Sequence, residues 1–388
     1  MSLSSLHHSS IASAQANSDA VFKFSKIRFT LLTSRLIRIE TSPLGQYEDR
    51  PTQVFWFRNQ PIPKAKIEQD DQSLVIETDI FQLRYTDLSE KLTQNSLQIM
   101  HKETGAIIHL DDPNPGVFPG TIRTLDETHG PVQLHPGLIS RSGWVLLDDT
   151  PSLIFNSEGW LESRPIQTGY RDLYLLVSGQ DYKAALQDYQ LISGTPSLLP
   201  RAFLGNWWSR FWEYSQQEIQ QLVDRFHEEQ IPLSVLILDM DWHITKTNNG
   251  CTGWTGFSWN ESLFPDPAGL LNWFHERGLI TSLNLHPAEG IYPHEKYYPD
   301  AARALGLDPA SKIPIPFDIA NPAFAQVYFD QMLHPLEAQG VDFWWIDWQQ
   351  GQRSTLASLD PLWWLNHLHF YDLGRTPKKR PEIGRAHV

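Results

Sequence analysis

Apolar and polar residues alternate in short runs through the first half of the chain. Ser25–Glu40 (SKIRFTLLTSRLIRIE) places Ile27, Phe29 and Leu31 on one face, followed by Leu36, Ile37 and Ile39. Gln72–Tyr85, Leu97–Leu110 and Gly143–Phe155 carry similar runs. Turn residues separate them, at Pro43-Leu44-Gly45, Pro113-Asn114-Pro115-Gly116 and Asp148-Asp149. A period of two in many short runs predicts an antiparallel β-sandwich over residues 21–195. A short helix over Tyr182–Leu191 and the prolines Pro196 and Pro200 mark the exit from it.

Beyond Pro200 the period changes. Leu204–Trp208, Val235–Leu238, Leu279–Leu285 and Val341–Ile346 read as strands, and Val235–Leu238 is apolar throughout, as strands buried on both faces are. Helical spacing fills the intervals. Ser215 to Glu218 forms a capping-box pattern ahead of Ile219, Leu222, Val223 and Phe226. Asp266-Pro267 opens a helix with Leu270, Leu271 and Phe274 on one face and Gly278 as its stop. Asn321-Pro322 opens one that reaches Gly340, with an interruption expected at His334-Pro335. Pro361–Leu373 predicts another, and Lys379-Arg380-Pro381 the entry to a fifth strand. Repeated β/α units mean a doubly wound sheet or a (β/α)8 barrel. No glycine-rich phosphate loop follows the first strand, which disfavours a dinucleotide fold. The expected fold class is therefore α/β plus all-β: an N-terminal antiparallel sandwich, then the first half of a (β/α)8 TIM barrel over 200–381.

Composition narrows the partners. Of 388 residues, 31 are Lys or Arg and 45 are Asp or Glu, giving a net charge of −14. That balance disfavours nucleic acid, which selects basic patches. One cysteine, Cys251, excludes an internal disulfide framework. Residues 1–20 lack the basic start and apolar run of a signal peptide and read as a disordered leader. No stretch reaches the ~18 apolar residues of a membrane span. Together these favour a cytoplasmic location slightly, and the oligomeric state stays open. Of the 15 tryptophans, 12 lie between Trp207 and Trp364. An indole has a flat apolar face and a polar N–H, which suits the C–H faces and hydroxyls of sugar rings, so a carbohydrate partner is expected.

Acidic and polar residues end the predicted barrel strands, where barrel enzymes place their chemistry. Asp347 follows Phe343-Trp344-Trp345-Ile346 and precedes Trp348-Gln349-Gln350-Gly351. Asp239 and Asp241 lie two apart at the second strand end, a spacing that points both the same way along a strand. His286 follows the third strand. A metal held by Asp239, Asp241, His243, His286 and Asp347 is disfavoured, because no His-x-His or His-Glu-x-x-His pattern occurs, and no cofactor is expected. A retaining glycosidase needs two carboxyl groups about 5–5.5 Å apart, one attacking the anomeric carbon and one serving as acid then base. Asp347 suits the first role, and the second must come from another strand end.

The motifs together resemble glycoside hydrolase family 31 from about Phe24 to Pro381. They are Asp239-Met240-Asp241-Trp242, Phe264-Pro265-Asp266-Pro267, Asp318-Ile319-Ala320-Asn321-Pro322 and Trp345-Ile346-Asp347, in that order. The resemblance implies a galactose-mutarotase-like sandwich before a (β/α)8 barrel, and a retaining α-glycosidase. It makes Asp347 the nucleophile and Asp239 a holder of a sugar hydroxyl. It has Arg210-Phe211-Trp212 line the cleavage subsite. Asp241, Trp242, His286, Trp345, Trp348 and Gln350 complete the expected sugar-binding set. Two departures, Asp347-Trp348-Gln349-Gln350 for Asp-Met-Asn-Glu and His286-Pro287 for Asp-Pro, leave the sugar open. An α-transglycosylase on the same site and a non-catalytic carbohydrate-binding protein are the alternatives.

The resemblance also places the acid/base Asp beyond the predicted fifth strand, outside this chain, so the chain is expected to be an incomplete enzyme and inactive alone. Glu382–Val388 is expected to be a non-native tail. Those residues back-translate as GAGATCGGAAGAGCACACGTC, which resembles a common sequencing-adapter sequence.

Overall fold

The computed structural model describes residues 13–375, apart from 87–91, 94, 111–115, 126–127, 166–167, 348–350 and 352–353. Most of the leader, the predicted fifth strand entry and the tail, together with Trp348 and Gln350, therefore lie outside the described residues. The chain divides into two compact units at Pro196/Ser197.

The first unit is all β apart from one flanking helix. Its strands in chain order are β1 (Val21–Phe24), β2 (Ile27–Leu31), β3 (Leu36–Thr41), β4 (Lys66–Gln69), β5 (Ser73–Glu77), β6 (Phe81–Thr86), β7 (Leu97–His101), β8 (Ile107–Ile108), β9 (Val117–Pro119), β10 (Pro136–Ser140), β11 (Trp144–Asp148), β12 (Ile154–Phe155), β13 (Leu161–Glu162) and β14 (Arg171–Val177). One five-stranded antiparallel sheet runs β1-β2-β3-β14-β11 and another β4-β5-β6-β7-β8. Their facing sides bury Phe29, Ile37, Ile39, Leu173 and Leu175 against Leu74, Ile76, Leu83 and Ile99; Leu173 and Leu175 come from β14, which lies outside the predicted runs.

On the reverse side of the first sheet the alternate residues are charged, yet equally buried. Arg38 donates through Nε and Nη2 to both oxygens of Asp172, each at 2.7 Å, and Arg164 Nη1 reaches the same carboxylate at 2.6 Å. Arg28 donates to Glu40 at 2.6 Å and 3.0 Å. Arg38 is 1% exposed and Glu40 and Asp172 are 0%. The helix α1 (Tyr182–Ser193), capped by Asp181, contributes Ala185 and Ile192 to an apolar cluster with Leu36, Phe55, Tyr174 and Leu176.

The second unit is a four-stranded parallel sheet in the order β15 (Trp207–Trp208), β16 (Val235–Leu238), β17 (Ile280–Leu285), β18 (Phe343–Ile346). Helices α2 (Gln216–Glu228), α3 (Pro267–Glu276), α4 (Tyr298–Ala304), α5 (Pro322–Val327), α6 (His334–Gln339) and α7 (Pro361–Leu373) occupy the connections and the end of the described chain. One sheet face carries Val235, Ile237 and Phe343, with Trp207, Ile280 and Trp345 packed against them. The predicted capping box is formed: Ser215 Oγ accepts from Glu218 N at 3.3 Å, and the Glu218 carboxylate accepts from Ser215 N at 2.8 Å. Ser215→Ala should cost about 1 kcal/mol, the usual worth of an N-cap, measurable as a lower denaturant midpoint at unchanged slope.

Two expectations need correction. Leu204–Trp208 is a strand only at Trp207–Trp208, because Arg201–Leu204 forms a 3₁₀ turn after Pro200. Proline fixes the entry φ, and Leu204, 76% exposed, has no layer to pack into. The Asn321–Gly340 helix is broken earlier than His334-Pro335, by a π-helical stretch over Tyr328–Leu333. Pro335 has no N–H to meet the carbonyl one α-turn back, and the widened turn lies immediately before it.

Candidate active site

Three strand ends converge on Asp347. β17 and β18 pair in parallel with Asn284 opposite Trp345 and Leu285 opposite Ile346, so the next inward positions, His286 and Asp347, are neighbours. Asn284 Nδ2 donates to Asp347 Oδ2 at 3.1 Å. His286 Nε2 pairs with Asp347 Oδ1. Asn284 and His286 are 1% and 6% exposed, whereas the Asp347 side chain keeps 25% of its surface open. A buried clamp thus presents an accessible carboxylate at the C-terminal edge of the sheet.

Asp239 joins this group from β16. It leaves the strand and caps a 3₁₀ turn, Met240–Trp242, accepting from Met240 N at 2.7 Å. Burial, with the charges of Asp347 and Asp241 adding to it, pushes its carboxyl above the ordinary range. The turn corrects the expectation that Asp239 and Asp241 point the same way, since strand alternation ends at Leu238. Asp241 instead meets Thr245, whose Oγ1 donates to it at 3.4 Å, and the charges of Glu213 and Lys246.

The tryptophans separate by exposure. Trp242 is 1% exposed and gives its Nε1–H to the Asn284 carbonyl at 2.7 Å. It is a core residue under the clamp and has no face left for a sugar, which corrects its expected role. Trp345 packs edge-on to Trp207 at 5.9 Å in the apolar interior below Asp347, a floor position. Trp212 is 52% exposed, with the Arg210 guanidinium 4.4 Å over its ring.

Sequence reasoning missed two residues. Asn284 was legible from its period-two spacing to His286, which puts both on one face of the strand end. Trp254, 43% exposed, meets the His286 ring edge to face at 5.4 Å. Its loop is drawn close by Gly253, whose φ of +88° suits glycine and where a Cβ would lie 1.9 Å from the Thr245 carbonyl oxygen. A separate cleft of about 850 Å³, lined by Glu213, Lys246, Trp259, Asn260, Lys296 and Gln339 among others, does not include the clamp. Among the described residues no cluster of three or more His, Cys, Asp or Glu is placed to hold a metal ion. No helix among them is long and apolar enough to cross a membrane.

A parallel β/α sheet with its polar groups gathered at the C-terminal edge is the arrangement of barrel enzymes. Residues 196–363 match the glycosyl hydrolases family 31 TIM-barrel domain. An α-xylosidase of Saccharolobus solfataricus is 28% identical over 179 residues, which cover 45% of this chain and 23% of that protein. The α-xylosidase XylQ of Lactiplantibacillus pentosus is 29% identical over 157 residues, 39% of this chain and 20% of that one. The matched stretch is thus about a fifth of each relative's length. Among solved structures, a family 31 α-xylosidase from a soil metagenome, complexed with xylose, superposes with a TM-score of 0.63 at 12% identity, over 94% of this chain and 63% of its own. A Flavobacterium johnsoniae family 31 dextranase complexed with glucose gives 0.58 at 16% identity, over 91% and 49%. At these identities the structural likeness establishes the fold.

Proposed function

We propose that the protein is a retaining α-glycosidase acting on terminal α-linked sugars, with Asp347 as nucleophile. The observation that carries this reading is the clamp: an open carboxylate at a barrel strand end, its two oxygens already oriented by Asn284 and His286. Attack by one Asp347 oxygen on the anomeric carbon forms a glycosyl ester as the bond to the leaving oxygen breaks. Water then cleaves the ester, and two inversions give net retention. Asp239, beside Asp347, is placed to accept a hydrogen bond from a sugar hydroxyl. We assign the acid/base role to no described residue. Trp212 and Trp254 offer exposed faces for stacking. The names of the relatives direct the substrate class to α-xylosides and α-glucosides.

The reading is tested, in an enzyme that carries the whole barrel, by turnover of aryl α-xylosides, α-glucosides and α-galactosides, with the first-formed anomer followed by NMR. The α-anomer should appear first, and a first-formed β-anomer would exclude a retaining mechanism. Transfer of the sugar to an added acceptor would make the protein a transglycosylase on the same site. Trp254→Ala should raise KM roughly fivefold, from the ~1 kcal/mol that a stacked aromatic contributes, with kcat little changed.

A further inference from the structure

We propose that His286 is a positioning residue for Asp347, not a sugar ligand: its Nε2–H fixes the carboxylate in the one orientation from which it can attack. The inference rests on Asp347 being the nucleophile.

The ring is built to do this. It is 6% exposed, its Nε2 lies against Asp347 Oδ1, and neither ring nitrogen has another hydrogen-bond partner among the described residues. The backbone at His286 is itself tethered. Thr255 Oγ1 donates to its carbonyl and accepts from Glu289 N at 3.1 Å, and the Trp254 ring covers its side at an interplanar angle of 85°.

Asn284 holds the other oxygen from the same strand, two residues back. Two donors from one rigid strand, one on each oxygen, stop rotation of the carboxylate. The other titratable groups acting near the ring are Asp239 and His243, both from the turn after β16. Neither displaces it from Asp347. Misplacing a reacting atom by about 1 Å costs on the order of a hundredfold in rate. A sugar ligand at this position would act on KM, whereas a positioning residue acts on the bond-forming step.

The experiment uses 5-fluoro-α-D-xylosyl fluoride and its glucosyl counterpart. The Asp347–C1 bond forms as C1–F breaks and fluoride leaves with the bonding electrons, so the step needs no acid. Trapping is followed by intact mass in the wild type, His286→Leu and His286→Gln. The Leu variant should trap roughly a hundredfold more slowly at saturating probe, with little change in half-saturation. The Gln variant, which keeps an amide donor, should recover to within about tenfold of wild type. In a histidine-labelled NMR spectrum, the His286 Nε2–H should give a slowly exchanging downfield signal that Asp347→Ala abolishes. Equal trapping rates in all three proteins, a loss confined to half-saturation, or a signal that survives Asp347→Ala would overturn the inference alone. A wild type that is not labelled on Asp347 would overturn the nucleophile reading with it.

Discussion

In an enzyme that carries the whole barrel, Asp347→Asn should lower kcat on aryl α-glycosides by on the order of a thousandfold or more, while leaving substrate affinity within a few fold. The amide is nearly isosteric with the carboxylate, so the contact with Asn284 can be kept in a flipped orientation and the sugar still meets Asp239 and the exposed tryptophans. What is lost is the anion that forms the glycosyl ester. Kinetics at saturating substrate, paired with calorimetric titration of a slow substrate, separate the two effects. A comparable loss in affinity would mean that Asp347 binds the sugar rather than attacks it.

The second large effect lies in the sandwich. Asp172→Ala leaves the Arg38 and Arg164 guanidiniums buried without the carboxylate they share, and one-sided removal of a buried ion pair costs about 3–5 kcal/mol. For a unit of this size that lowers the melting temperature by about 10 °C, seen in scanning calorimetry. Burial alone would raise the Asp172 carboxyl, but Arg38 and then Arg164 outweigh it and hold the group well below the ordinary range. A depressed carboxyl stabilises the fold above its unfolded value near 4, and that stability is lost as pH falls further. Asp149 acts in the opposite sense. Burial, then repulsion from Asp172, pushes it up to about 6, so its contribution declines as pH rises from about 4 to 6. Asp149→Asn should flatten the stability profile in that window, and an unchanged profile would remove Asp149 as its cause.

The sheet-and-helix unit was largely legible because apolar-rich strands alternate with capped helices. Val235–Leu238 and Pro361–Leu373 match the observed elements residue for residue. Asp266, Asn321 and Asp360 each accept a backbone N–H at a helix start. What stayed hidden depends on contacts between distant positions. Strand alternation puts Arg38 and Glu40 on the face opposite Ile37 and Ile39, and the structure buries those charges in mutual pairs. Trp242 read as a sugar platform because it sits in an acidic strand-end motif. Its burial follows from the bond to the Asn284 carbonyl, 42 residues away. The π-helical turn before Pro335 changes only which carbonyl each N–H meets, and leaves no mark on apolar spacing.

At the site itself, chemistry-bearing residue types at strand ends were sufficient to nominate Asp239, His286 and Asp347, and the structure brings these three together. Their partnership was not legible. That His286 grips the carboxylate depends on the register between β17 and β18, which no local pattern encodes.

The most direct measurement is peptide mapping of the protein after reaction with the 5-fluoro-α-glycosyl fluoride. The account predicts one added 5-fluoroglycosyl group, carried on the Asp347 side chain and absent in Asp347→Asn. A label on any other residue, or none after prolonged exposure, would contradict it.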